Sequence, residues 1–197
     1  MGKLSEAFIT RTIGKRDYAI MLLMLTTALR CVEVSRLFIK DLTYTGKGYS
    51  LNILRKGRDE KEIKMITPAV FDAIEQYLID RKNTTNDDVL FAACSVNRNE
   101  KHLSEKAVGN IVKQYLSKIE LTGSKYTAHS LRHTVAVTLL NKGIAMYDVQ
   151  LFLGHKSQAM TQIYLRYVEE QKRLNTSSNE VLEGVFNVQN DRAKRVI

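Results

Sequence analysis

The chain has 197 residues, 44% of them hydrophobic and 26% charged, which suits a globular domain with a substantial core and excludes a disordered polyelectrolyte. Its 30 Lys and Arg outnumber 21 Asp and Glu, and the net charge of +9 points to a polyanionic partner such as nucleic acid or an acidic membrane surface. Cys31 and Cys94 lie outside any CxxC or Cys/His cluster, which argues against a disulfide framework and fits a reducing cytoplasm, and no apolar run has membrane-spanning length.

The longest apolar run is "AIMLLMLTTAL" (Ala19 to Leu29), apolar on nearly all sides. It predicts a central helix over about Lys15 to Ala28, with Cys31 a small buried hydrophobe just beyond. A second helix is expected from Val32 to about Phe38. The period then changes. "YSLNILRKGRDEKEIKMI" alternates around Leu51, Ile53, Ile63 and Met65 and carries the turn "KGRDE", so it predicts a β-hairpin with a charged tip.

Pro68, the only proline, suits the first turn of a helix with Val70, Ile74, Tyr77 and Leu78 at helical spacing. Ser104 suits an N-cap, ahead of a helix whose face holds Val108, Ile111, Val112, Tyr115, Leu116 and Ile119. The stretch "YTAHSLRHTVAVTLLNKG" predicts a helix from about Ser130, with Leu131, Val135 and Leu139 inward. A short helix follows near Tyr147 to Leu153, stopped by Gly154, and a longer one over about Ser157 to Arg173. "NTSSN" reads as a hinge. Val181, Leu182, Val185 and Phe186 beyond it form an apolar pattern that needs a groove. The fold class expected is mostly α with a small antiparallel β-sheet.

His129, Arg132 and His133 crowd one helix start, where burial without a partner or a use is costly. Free N–H groups and the helix dipole there favour an anion, and phosphate is the obvious candidate. Histidines at i and i+4 also suit a metal. However, Ser130 stands where a metalloprotease needs Glu, and an Arg between the ligands would repel the cation. A packing role for both histidines is the other alternative. Elsewhere, "TTALRCVEVSRL" places Arg30 at a helix end with Glu33 three residues on. "LRKGRDEKEIKM" places Lys56 on the hairpin tip. "FLGHKSQAMTQIYLRY" places His155 after Gly154, with Tyr164 nine positions later.

This series resembles the catalytic domain of the tyrosine recombinases, or phage integrase family. There, an Arg in a "TGLR…E" segment, a hairpin Lys, an "HxLRH" segment and "LGH" followed by Tyr form the active site. The segments span about Asp17 to Tyr167 in matching order. The resemblance implies Tyr164 as nucleophile, Arg30 and Arg132 clamping the scissile phosphate, and Lys56 as general acid. It implies His129 and His155 as phosphate-binding and proton-transfer groups, with Glu33 and His133 in support. Ala28 replaces a usual Gly, which a helical backbone there would tolerate. Arg55 replaces the Gly that commonly precedes the hairpin Lys, which leaves Lys56, Arg58 and Lys61 as candidates to reach the leaving group. Tyr167 competes with Tyr164 on a similar helix face, and spacing favours Tyr164. His102 reads as a solvated surface residue.

The chemistry needs these residue types. Attack of a phenol on a phosphodiester builds charge on the non-bridging oxygens, which two guanidinium forks match. A free tyrosine ionises near pH 10, so nearby cations and an imidazole base are required. A phosphotyrosine conserves the bond energy, so neither ATP nor a metal or other cofactor is implied. The expectation is a site-specific recombinase or integrase acting on double-stranded DNA as a tetramer, cytoplasmic and nucleoid-associated. The alternatives are a type IB topoisomerase-like enzyme and a DNA-binding module without catalysis. Residues 1–175 are expected to form the catalytic domain. Residues 176–197 are expected to be a tail that exchanges between subunits, and the family's N-terminal core-binding domain is expected to be absent. An isolated catalytic domain should bind duplex DNA weakly and with steep salt dependence.

Overall fold

The computed structural model describes residues 12–81, 83–93 and 102–175. Cys94 and the apolar pattern at 181–186 fall outside these residues. Among the described residues, the chain order is α1 (Thr12–Thr27), α2 (Cys31–Ser35), a 3-10 turn (Ile39–Asp41), β1 (Leu42–Tyr44), β2 (Tyr49–Leu54), β3 (Lys61–Met65), α3 (Pro68–Asp80), α4 (Glu105–Lys118), α5 (Ala128–Asn141), α6 (Met146–Leu153) and α7 (Ala159–Asn175). The architecture is mostly helical with one small antiparallel sheet, as expected.

Helix α1 is the central element. Ala19, Ile20, Met21, Leu23 and Met24 are all buried, and Tyr18, Leu22 and Leu25 are half-buried on the remaining face. It packs on α3, α4 and α5. Pro68 starts α3 at a position where no intrahelical N–H is needed. Ser104 caps α4 by accepting the Ala107 N–H at 3.1 Å. The main core joins these helices to the inner face of the sheet through Leu51 and Ile53. A second, smaller core holds α5, α6 and α7 together around Ala136, Leu140, Val149, Leu153, Tyr164 and Val168, and Ala28 reaches into it from the end of α1.

Four local expectations are corrected. First, α1 does not run helical through Ala28, whose φ is +55°. The residue is fully buried in a left-handed conformation that disfavours a Cβ, which is why glycine suits the position. Second, the helix expected to reach Phe38 stops at Ser35. The chain straightens there because the Leu37 carbonyl accepts the Leu90 N–H at 2.8 Å and Phe38 bridges to Val89. Asp41 then accepts the Phe38 N–H at 2.9 Å and closes the 3-10 turn.

Third, the expected hairpin forms as β2 and β3, but β1 joins it as an unforeseen third strand in the order β1-β2-β3, and the faces of β3 are reversed. The hairpin register sets Lys64 opposite Leu51 and Glu62 opposite Ile53. Side chains alternate along a strand, so β3 turns Lys64 inward and exposes Ile63 (67%) and Met65 (52%). The apolar alternation of that strand therefore points outward. Fourth, the buried face of α5 is Leu131, Arg132, Ala136 and Leu140, while Val135 and Leu139 are half-buried. Arg132 lies on the inward side of its helix. Among the described residues, no helix is long and apolar enough to cross a membrane.

Candidate active site

The site lies where the two cores meet. Arg30 follows the left-handed Ala28 and stands just ahead of α2. Glu33, inside α2 and fully buried, accepts the Arg30 backbone N–H at 2.9 Å and its Nη1 at 2.9 Å. The same carboxylate receives Arg55 Nη1 at 3.4 Å and the Lys56 backbone N–H at 3.5 Å. Burial alone would raise the Glu33 pKa. The Arg30 N–H bond and the Arg55 and Arg30 guanidiniums outweigh it and hold the group below the usual carboxylate range. One anion thus orients the first arginine and the root of the hairpin.

Arg132 is buried, and its guanidinium donates to the carbonyl oxygens of Ala28 and Leu153. These oxygens lie at the ends of α1 and α6, where the helix dipole is negative. Burial, then the Arg30 charge, pushes the Arg132 pKa down to about 10, so it stays cationic at neutral pH. Arg30, Arg132, Lys56 and His129 line one cleft of about 270 Å³, together with Cys31 and Glu105. Cys31 is therefore at the cleft and half-buried, where a core position was expected. Burial, then Glu105, pushes its thiol up to about 11, so it is not a thiolate at neutral pH.

The hairpin alternatives separate by geometry. Lys61 is paired with Asp41 at 2.5 Å, and Arg58 with Glu62 at 3.4 Å. Of the three, Lys56 is the one that lines the cleft. The hairpin carrying it is fastened from behind. Arg55, 1% exposed, bonds Glu62 through Nε at 2.6 Å and reaches the carbonyls of Phe152 at 3.4 Å and Leu153 at 3.5 Å. Lys64 donates to the Phe152 carbonyl at 2.6 Å, with its ammonium 3.4 Å from the centre of the Phe152 ring. Burial, then the Arg55 charge, pushes the Lys64 pKa down to about 8. Arg55, Lys64 and Arg132 thus converge on the C-terminal carbonyls of α6, immediately before His155. Lys156 adds a bond from the other side, donating to the Gly57 carbonyl at 2.9 Å.

Tyr164 on α7 is 6% exposed and packs between two histidines. The His155 ring stacks on it at 5.9 Å and the His133 ring meets it edge-on at 5.1 Å. Tyr167 touches the other side of this group, 5.3 Å from His133, but only Tyr164 is in ring contact with both histidines. Tyr164 is not among the residues that line this cleft, but it is close enough to act electrostatically on Arg132, which does line it. Burial, then the Arg132, Arg30 and Arg55 charges and His129, pushes the His155 pKa down to about 4. Burial, then His129, also lowers that of His133.

At the start of α5, Thr127 accepts the Ser130 N–H, so part of the expected anion-binding helix terminus is already occupied by its own cap. Positive side chains, more than free N–H groups, make the cleft attractive to phosphate. His102 is exposed, and its Nδ1 is 2.9 Å from the Ser35 carbonyl oxygen, away from the cleft. Among the described residues, no group of three His, Cys, Asp or Glu side chains is placed to hold a metal ion. Sequence reasoning did not find Lys64, Lys156 or Thr161, whose buried hydroxyl lies 2.8 Å from His155 Nδ1. Charged residues on a hairpin read as solvated, and a single threonine before a tyrosine carries no signal. Arg55 was visible only as a departure from the expected glycine.

The model of the phage integrase family matches residues 1–171. Among curated relatives, the tyrosine recombinase XerC of Chlamydia trachomatis is 34% identical over 158 residues, covering 79% of this chain and 48% of that protein. The tyrosine recombinase XerA of Pyrococcus furiosus is 34% identical over 171 residues, covering 87% of this chain and 57% of that protein. The chain thus spans about half the length of the curated relatives it matches. Among solved structures, a XerA recombinase superposes with a TM-score of 0.68 at 27% identity, covering 87% of this chain and 61% of that one. A XerH site-specific recombinase bound to its difH substrate in a post-cleavage complex gives a TM-score of 0.75 at 24% identity, covering 90% of this chain and 49% of that one, a likeness of fold.

Proposed function

The chain belongs to the phage integrase family, and from that premise we propose that it is a site-specific DNA recombinase working through a 3′-phosphotyrosine intermediate, with Tyr164 as nucleophile. The observation that carries this reading is the convergence of Arg30, Arg132, Lys56 and His129 on one cleft, with the Tyr164 ring held between His133 and His155 and acting electrostatically on Arg132. Two guanidiniums and an ammonium around a space of this size suit a single backbone phosphate.

In the first step the Tyr164 oxygen bonds to phosphorus and the bond to the 5′ oxygen breaks. The phenolic proton passes to an imidazole, His129 or His133, and Lys56 protonates the departing 5′ oxygen. Arg30 and Arg132 hold the non-bridging oxygens where negative charge grows. A 5′ hydroxyl from a second strand then attacks the phosphotyrosine, and the proton movements reverse. The number of phosphodiester bonds is unchanged, so the scheme calls for no ATP, and the cations do the work a metal would do elsewhere.

The partner proposed is double-stranded DNA, with the protein assembled on it as a tetramer in the nucleoid. The neighbouring surface of α6 and α7 exposes Tyr147, Leu151, Met160, Ile163 and Leu174. An apolar face of this kind suits the residue 176–197 tail of an adjacent subunit. Deleting that tail should then impair assembly on DNA more than cleavage of a single site. The test of the chemistry is incubation with nicked suicide duplexes followed by denaturing electrophoresis. A covalent protein–DNA adduct is expected for the unaltered chain and for Tyr167→Phe, and none for Tyr164→Phe. An adduct that persists in Tyr164→Phe would overturn the assignment.

A further inference from the structure

His155 and Thr161 form a buried pair that the scheme above leaves unused. Thr161 is 0% exposed and His155 7%. Thr161 Oγ1 lies 2.8 Å from His155 Nδ1. The hydroxyl has no other hydrogen-bond partner among the described residues, and Thr161's own N–H is spent on the Gln158 carbonyl at 2.8 Å. The pair can share its proton in two ways. If Nδ1–H donated to the hydroxyl, the threonine's own proton would be left without an acceptor inside the protein. A buried polar hydrogen stranded in this way is disfavoured. If the hydroxyl donates to Nδ1, the imidazole must carry its proton on Nε2.

We propose that Thr161 is a positioning residue that fixes His155 as its Nε2–H tautomer, a form that can donate a hydrogen bond but cannot take the Tyr164 proton. The backbone holds the same ring in place, with the His155 N–H bonded to the Gln150 carbonyl at 3.1 Å and the His155 carbonyl accepting from the Gln150 side chain at 3.3 Å. The stacked Tyr164 ring limits its rotation. The charged and titratable groups around it are Arg132, Arg30, Arg55 and His129, which disfavour a second proton on the imidazole. With Nδ1 occupied and Nε2 already protonated, neither nitrogen is available as a base, so proton abstraction falls to His129 or His133. This division of labour rests on the recombinase reading; the tautomer itself does not.

The test is long-range 15N–1H NMR of the full chain labelled on histidine, read without DNA, beside adduct formation on suicide duplexes. The His155 signal, assigned by loss in His155→Gln, is expected to show a protonated Nε2 and an unprotonated Nδ1 at neutral pH. In the near-isosteric Thr161→Val the tautomer preference should shift, and adduct formation should slow by about tenfold. Thr161→Ser should restore both. A protonated Nδ1 in the unaltered chain overturns the proposal even if the valine variant fails to fold. So does an unchanged tautomer in Thr161→Val. If the tautomer is as stated and no adduct forms with any duplex, the recombinase reading fails and the Thr161–His155 assignment stands.

Discussion

A Cβ placed on Gly154 would lie 2.8 Å from Nε of Arg55. Gly154 ends α6 in a left-handed conformation with φ +64°, and the Arg55 guanidinium lies against it. The residue that replaces a family glycine on the hairpin is thus seated over a glycine on the other side of the site. Two costs fall on Gly154→Ala, the backbone conformation and the clash. The substitution should destabilise the fold by about 2–3 kcal/mol in urea unfolding. In an Arg55→Gly background the clash is gone, and the added cost should fall to about 1 kcal/mol. Equal costs in the two backgrounds would show that the contact does not matter.

Ala28 tests the end of α1. With φ +55° and no exposure, its backbone accepts glycine readily and a β-branched residue poorly. Ala28→Gly should change stability by less than about 1 kcal/mol, because relief of backbone strain offsets the lost methyl contact. Ala28→Val should cost about 2–3 kcal/mol. A helical backbone at this residue would make glycine the worse of the two, so the rank order in thermal unfolding decides.

The hairpin cations are separable by leaving-group chemistry. Lys56→Ala should slow cleavage by about a hundredfold on an ordinary duplex. A duplex with sulfur in place of the bridging 5′ oxygen needs little protonation, and cleavage of it should be restored. Lys61→Ala and Arg58→Ala, whose side chains are paired with Asp41 and Glu62, should show no such selective rescue. Rates of adduct formation on the two duplexes provide the measurement.

His155 links stability to pH. Its pKa falls from 6.5 to about 4 on folding. Between those values the unfolded chain holds a proton that the folded chain does not. Stability therefore has its full value above pH 6.5 and falls as the solution is acidified toward pH 4, by about 3 kcal/mol from this group. His133 shifts in the same direction and adds to the slope. Glu33 is held below the ordinary carboxylate range, so its contribution is lost only under more acidic conditions. Urea unfolding at about pH 7, 6 and 5 should show a smaller slope in His155→Gln, with the His133 part retained.

The sequence by itself determined the helical class, the hairpin, and the candidate residues Arg30, Glu33, Lys56, His129, Arg132, His133, His155 and Tyr164. Helical and strand periods, caps and motif spacing are local properties, and local interactions write them directly into the order of residues. What only the tertiary structure decided is how these pieces close on one another. Lys64 turns inward because the strand register places it opposite Leu51, and no pattern within one strand records that pairing. Arg55, Lys64 and Arg132 reach the same end of α6 from two distant parts of the chain. Ala28 leaves the helical region where α1 ends and its carbonyl meets Arg132. Thr161 matters because folding buries its hydroxyl against one nitrogen of His155. Each of these follows from long-range packing and from the need to satisfy buried polar groups, conditions that exist only after distant segments have met.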